Sequence, residues 1–439
     1  MRSSCACPDG AAPRSTPGAD TSDDCPRGAM PLMPMLGLAI ALAEPASAAA
    51  QAGAVARTPY VDALMRYGPG TDREAVDALN ALKLRSADRL LEALDRACVE
   101  LGAKSCLPAD LERAAPDVRP RVAAVWRQLY PRAMALHAEA LVAAGATRDE
   151  AGVALHITLL LRLASRCEDI ARRPDAPPAV ARLAATGPRL VLWALQYLRD
   201  ETALERVLGL LAGAQSGDSE TWLARGALAE LRVRPEAIAA AERKAVAALQ
   251  RKGTTPEGMT GERQLTDARD VRDVERPDTE TERRLDAAVR VYRQAVAAHP
   301  ELAEPRLRLG RMLALLDRLD EAERQLGLAM ALQPDARQAY LAALFVADLR
   351  ERQERPEEAL AAYAAARRAW PGAQAPVVAL ARLRVLGGAA EAARALLADV
   401  HVERDMRERS DPWLGYVGGQ GWRLAGALAE LQRGFEAAP

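Results

Sequence analysis

Residues 309–334 read LGRMLALLDRLDEAERQLGLAMALQP, and this stretch decides the fold. It has the pattern helix, turn, helix, then proline. Gly310 lies in the first helical segment, and Ala322, Leu326 and Ala329 lie in the second, which ends at Pro334. Gly310 and Ala322 sit where two antiparallel helices approach closely, so only small side chains fit there. Leu326 fills the space between successive helix pairs, and Ala329 lets the next pair pack against the second helix.

The pattern recurs on both sides. Ala288, Tyr292, Ala295 and Pro300 mark the second helix of a preceding unit, and Ala359, Tyr363, Ala366 and Pro371 that of the following one. Tyr340 takes the aromatic position of this following unit, whose turn is lengthened around Glu354–Glu357. Gly387 and Ala392 suggest a fourth, decayed unit. These offsets resemble the tetratricopeptide repeat, a helix–turn–helix unit of 34 residues. The resemblance implies an all-α, right-handed solenoid of antiparallel helix pairs. It also implies a concave groove that takes a protein or peptide partner. Carried onto this chain, the groove-facing positions are Leu307, Arg308 and Arg311 in one unit and Gln338, Leu341 and Phe345 in the next. Arg308 and Arg311 could hold a ligand carboxylate, or they are solvated surface cations.

Composition agrees with an all-α chain. The 439 residues are 50% hydrophobic but only 4% aromatic, and Phe occurs twice. Ala, Leu, Arg and Glu, all strong helix formers, fill the chain. The charge balance of 59 basic against 60 acidic residues offers no whole-chain attraction to nucleic acid or to anionic lipid. Scarce Lys and a single Asn, Asn80, point to a GC-rich, bacterial codon bias.

Four regions follow: a leader at 1–50, a helical N-terminal domain at 57–215, repeats at 216–400 and a C-terminal capping segment at 401–439. In the N-terminal domain, capping boxes at Thr71–Glu74 and Thr147–Glu150 open helices, and Pro131 closes one. Each helix has one apolar stripe and needs neighbours to cover it. Among the repeats, Trp222, Gly226 and Ala229 form a first helix capped by Asp218 or Ser219. A further helix covers about 235–250, and a polar insert of 251–284 then separates this first helix from its second helix at Ala288–Pro300. The alternative is an interdomain linker.

Met30–Ala43 is an apolar run too short to span a bilayer, which takes about 20 residues. With Ala46-Ser47-Ala48 behind it, the run fits a cleaved secretory signal, which implies export to the periplasm or beyond and no membrane span in the mature chain. A disordered leader on a cytoplasmic chain is the rival reading. Cys98 and Cys167 lie on apolar stripes as buried thiols, or Cys98 pairs with Cys106 across a helix end in an exported chain. The tail Asp411-Pro412-Trp413…Tyr416…Gly419-Gln420 resembles that of a group of exported bacterial tetratricopeptide proteins. Trp413, Tyr416 and Trp422 are expected to plug the end of the solenoid, or to form a pocket.

Catalytic signatures are nearly absent. The four histidines, His137, His156, His299 and His401, have no zinc-helix spacing, and Ser216 lacks a nucleophile elbow. His137 reads as a half-buried packing residue. No metal, cofactor or catalytic residue is assigned. The leading reading is a noncatalytic scaffold or adaptor. Its rivals are an enzyme in the N-terminal half, with His137, His156 and Glu139 as its first candidates, and a self-assembling envelope component.

Overall fold

The computed structural model describes residues 58–68, 72–173, 178–211, 218–233, 279–401, 411–417 and 419–436. The leader and the proposed helix at 235–250 lie outside these residues, as does the insert as far as residue 278. The described residues form eighteen helices and no strand. No helix among them is long and apolar enough to cross a membrane.

The N-terminal half contains α1 (Pro59–Arg66), α2 (Asp72–Ala81), α3 (Ala87–Glu100), α4 (Pro108–Glu112), α5 (Val118–Ala146), α6 (Glu150–Ala171), α7 (Pro178–Leu198) and α8 (Glu201–Leu211). Side chains start several of them. Thr58 accepts from the Val61 N–H, Ser86 from that of Asp88, and Asp200 from that of Ala203. The core lies where α5, α6 and α7 meet, with Trp126, Leu136, Leu160 and Trp193 buried in it. Cys98 and Cys106 are joined by a disulfide at the end of α3. Cys167 is a buried thiol, and burial pushes its pKa up to about 12.

Two sequence expectations fail here. Pro131 does not end a helix, because α5 runs through it for 29 residues. An interior proline costs about 3 kcal/mol, and here both flanks of Pro131 are anchored in the core, by Val125, Trp126, Leu129 and Tyr130 on one side and by Ala133 to Leu141 on the other. The cap of α6 is Asp149 rather than Thr147, since the Asp149 carboxylate accepts from the Gly152 N–H. Thr147 belongs to the preceding helix and donates to the carbonyls of Ala143 and Ala144.

The second half is a stack of helix pairs, a tetratricopeptide-like α-solenoid. Residues 219–233 are helical (α9) and are followed by α10 (Thr279–Ala298), α11 (Ala303–Leu315), α12 (Leu319–Ala331), α13 (Ala336–Arg352), α14 (Pro356–Ala369), α15 (Ala375–Leu386) and α16 (Ala390–His401). Short turns make the α11–α12, α13–α14 and α15–α16 pairs antiparallel. Ala288, Ala295, Ala322, Ala329, Ala359 and Ala366 are all fully buried. A Cβ on Gly310 would fall 2.7 Å from Leu326 Cγ, and one on Gly226 would fall 2.2 Å from the Tyr292 ring. The same close approach therefore pairs α9 with α10 across the insert, and Asp218 caps α9 by accepting from the Thr221 N–H.

Several details depart from expectation. Thr279–Arg284 belongs to α10 and not to a loop. The extra residues of the third pair lengthen α13, which has 17 residues against 13 in α11, and not its turn. In the last pair Gly387 is the C-cap of α15, and Ala393, not Ala392, is the buried small residue of α16.

Two further helices end the chain, α17 (Pro412–Val417) and α18 (Gly421–Glu436). They do not cover the end of the last pair. The α18 helix packs on α5 and α7 in the N-terminal half.

Gly327, on the outer face of α12, meets nothing within 4 Å. Gly327→Ala is therefore expected to raise stability by about 0.5–1 kcal/mol through helix propensity. Gly310→Val is expected to lower it by about 1–3 kcal/mol through overpacking. Urea unfolding of the two variants checks this, and equal effects would remove the close-approach role of Gly310.

Candidate functional site

The concave face is built by the first helix of each pair, α9, α11, α13 and α15. The chain's own tail occupies it. The tail's described residues meet α15 and α13 first and then α9 and α11, with Gly419 against α7.

Asp411 comes first. One carboxylate oxygen accepts from the N–H groups of Gln374 and Ala375, each at 2.9 Å, at the exposed amides that begin α15. The other accepts from the Tyr340 hydroxyl at 2.7 Å and from the Trp413 N–H at 2.8 Å. Pro412 then opens α17, which sets Trp413 and Tyr416 one turn apart on the same side. Their rings stack with centroids 5.7 Å apart. The Arg311 guanidinium lies 4.7 Å from the centroids of both Phe345 and Trp413 and 5.6 Å from that of Tyr416. Nearby, Arg337 stands between the rings of Trp422 and Trp370.

The tail next crosses α9 and α11 through a buried polar set. Tyr416 donates its hydroxyl to Glu230 at 2.6 Å, and Tyr292 donates to the other oxygen of the same carboxylate at 2.6 Å. Arg308 is 1% exposed. It donates to Glu304 at 2.9 and 2.7 Å, to the Gln420 side chain at 2.6 Å and, more weakly, to Glu230 at 3.5 Å. Arg423 pairs with Glu304 and with Glu220, which also accepts from the Trp193 indole at 2.9 Å. Burial pushes the Glu304 carboxyl up, but Arg423 and Arg308 outweigh it and hold its pKa at about 2.

Gly419 makes the crossing possible. Its φ of +91° is in the region glycine favours, and a Cβ there would lie 2.8 Å from the Gln196 carbonyl oxygen on α7.

The six groove residues expected from the repeat resemblance thus meet different fates. Leu307, Arg308, Leu341 and Phe345 are buried, while Arg311 and Gln338 are half-buried. Arg308 is not a solvated cation, because its donors are spent on Glu304, Glu230 and Gln420. Arg311 and Phe345 touch Trp413 and Tyr416, so these two aromatics lie in the groove and not at the solenoid's end. Sequence reasoning missed Glu230, Glu304, Gln420 and Arg423. The i, i+4 spacing of Glu304 and Arg308 was their one local signal.

The enzyme candidates are arranged otherwise. His137 Nε2 meets the Tyr60 hydroxyl at 2.8 Å, and its Nδ1 meets His156 Nδ1 at 3.0 Å. His137 is fully buried, not half-buried as expected. Glu139 points elsewhere and accepts from the Tyr67 hydroxyl at 2.7 Å, and Gln432 of α18 donates to that hydroxyl. The histidine pair and Glu139 therefore belong to separate hydrogen-bonded groups. Burial lowers the pKa of His137, helped by His156, and lowers that of His156 to about 4 despite Asp149. Burial raises that of Glu139 to about 8, with Asp72 adding and Tyr67 opposing.

Fold and site together define a tetratricopeptide-like α-solenoid whose groove is filled in cis. No protein family matches the chain, and no curated protein does. Among solved structures, the chain is similar to that of the APC/C hetero-tetramer Cut9–Hcn1. Identity is 12% over 83% of this chain and 72% of that one, with a TM-score of 0.28. It is also similar to yeast Tom70, with 13% identity over 84% of this chain and 89% of that one and a TM-score of 0.28.

The buried groups set opposite pH trends. The depressed histidines contribute stability that is present above pH 6.5 and lost as pH falls toward 4. The raised Glu139 contributes stability that is present below pH 4.5 and lost as pH rises through about 8. Glu139→Gln removes the second trend, so its pH of maximal stability is expected to lie above that of the wild type. Melting temperature measured from pH 4 to 9 tests this, and coincident maxima would count against it.

Proposed function

We propose that this chain is a noncatalytic protein–protein interaction scaffold whose concave face binds a peptide segment of a partner. The supporting observation is the tail itself. The face holds Asp411–Gln420 through contacts that depend on side-chain identity: a carboxylate on the α15 amides, an aromatic pair around Arg311, and an amide on Arg308. A surface that holds one such segment in cis has the chemistry to hold another in trans. The partner segment exchanges with Asp411–Val417, where Trp413 and Val417 are half-buried and Leu414 is exposed, while Gln420 and α18 stay as the anchor. Arg311, Gln338 and Phe345 are its contact residues, and Leu307, Arg308 and Leu341 form the floor.

The test uses a fluorescein-labelled peptide with the sequence of residues 411–424 and the full chain. Asp411→Asn with Trp413→Ala loosens the resident segment. This variant is expected to bind the peptide at least tenfold more tightly than the wild type, and adding Arg311→Glu is expected to abolish binding. Absence of saturable binding to any of these chains by fluorescence polarisation would remove the groove reading.

The scaffold works in the bacterial cell envelope. The Cys98–Cys106 disulfide supports this, because such bonds persist in oxidising compartments. Fusing residues 1–56 to a reporter active only after export is expected to give activity in a bacterial host, and an inactive, cytoplasmic fusion would contradict it.

A further inference from the structure

We propose a second docking site, a cleft between α14, α15 and α16 that takes an acidic amphipathic helix of a partner protein. It rests on the scaffold reading but uses none of the groove residues.

The cleft has a volume of about 870 Å³, within the usual range for ligand sites. Its floor is apolar, with Leu360 and Ala364 of α14, Leu380 of α15 and Leu396 of α16. Its rim is cationic, with Arg367, Arg368 and Arg384 against a single acid, Glu357. Arg368 and Arg384 are exposed and have no carboxylate partner among the described residues.

Asp411 enters the concave face at the beginning of α15, and no residue of α17 or α18 lines this cleft. The α16 helix buries Ala393 and leaves Leu396 half-buried and Leu397 43% exposed. The cleft thus lies between the last two helix pairs, with its leucines set inside an arginine rim.

Charge and length then select the occupant. The exposed Arg368 and Arg384 favour a segment with carboxylates flanking its apolar stripe. Glu357 and Arg368 are eleven residues apart on α14, about 16 Å, which matches three helical turns. Such a helix places apolar side chains at i, i+4 and i+7 on the leucine floor and pairs its flanking acids with Arg368 and Arg384.

The probe is a labelled fourteen-residue helix with leucines at that spacing and flanking glutamates, beside a copy in which lysine replaces every glutamate. Fluorescence polarisation with the full chain is expected to show saturable binding of the acidic probe only. Arg368→Glu with Arg384→Glu changes exposed positions and is expected to weaken it at least tenfold with an unchanged melting temperature. Leu396→Gln is expected to weaken it as well, and Arg311→Glu to leave it unchanged. Equal binding to wild type and the double variant, equal binding of both probes, or loss with Arg311→Glu would overturn the proposal. So would a concentration-dependent dimer abolished by Arg384→Glu, because a second copy would then be the occupant. If the acidic helix fails while the 411–424 peptide binds the concave face, this cleft falls and the scaffold reading stands.

Discussion

A set of charges, buried at its centre and half-buried at Arg423 and Glu220, governs this structure from the concave face. Glu304, Arg308 and Arg423 lie together, with Glu220 and Glu230 at the edges and Gln420 between. Removing one partner from a buried ion pair costs about 3–5 kcal/mol, and here each of the three has a second partner that shares the load. The three segments that supply the set are far apart in sequence: Glu220 and Glu230 come from α9, Glu304 and Arg308 from α11, and Gln420 and Arg423 from the tail. None of these segments can settle without the others. The tail is therefore part of the fold, and it joins the repeats to the N-terminal helices through α18 on α5 and α7.

The tail divides into two parts of different character. From Gln420 onward it is fixed by buried ion pairs and by the packing of α18. From Asp411 to Val417 it lies in a half-open groove and is held by aromatic rings and by the capping of α15. A tethered segment of this kind acts as a ligand at millimolar effective concentration. A free partner segment prevails only if it binds the groove more tightly than the resident one, or if a second contact raises its own local concentration. Reading the groove as solvent-facing went wrong for the same reason. The helix positions were placed correctly by the repeat offsets, but what lies over them depends on contacts more than 70 residues away, such as Tyr340 with Asp411.

Local rules were legible in the sequence wherever local forces decide. The small residues Gly226, Gly310 and Ala322 within pairs, and Ala329 between pairs, were placed by the repeat offsets. Pro131 was not legible in this way, because helix-breaking is a local cost that burial on both flanks overrides. Nor was Thr147, because two cap candidates two residues apart differ only in which helix end claims them. The path of the tail had one mark in the sequence, the Gly419-Gln420 crossing, where two successive residues take positive φ. A glycine followed by a glutamine there reads as a loose turn until Gln196 and Tyr197 of α7 are seen against it.

The cis tail also determines where apolar surface remains for other molecules. In a solenoid whose terminal segment folds over its last unit, the end is sealed and the concave face is open. Here the terminal segment has one length of chain and two faces to cover, and it covers the concave one. The reason is electrostatic. Arg308 and Glu304 sit in the concave wall, and the tail brings Gln420 and Arg423 to the donors and acceptors that their own pairing leaves over. The cleft between α14, α15 and α16 has a floor of leucines and a rim of exposed arginines, which water tolerates at much smaller cost. Free energy therefore favours placing the tail over the charges.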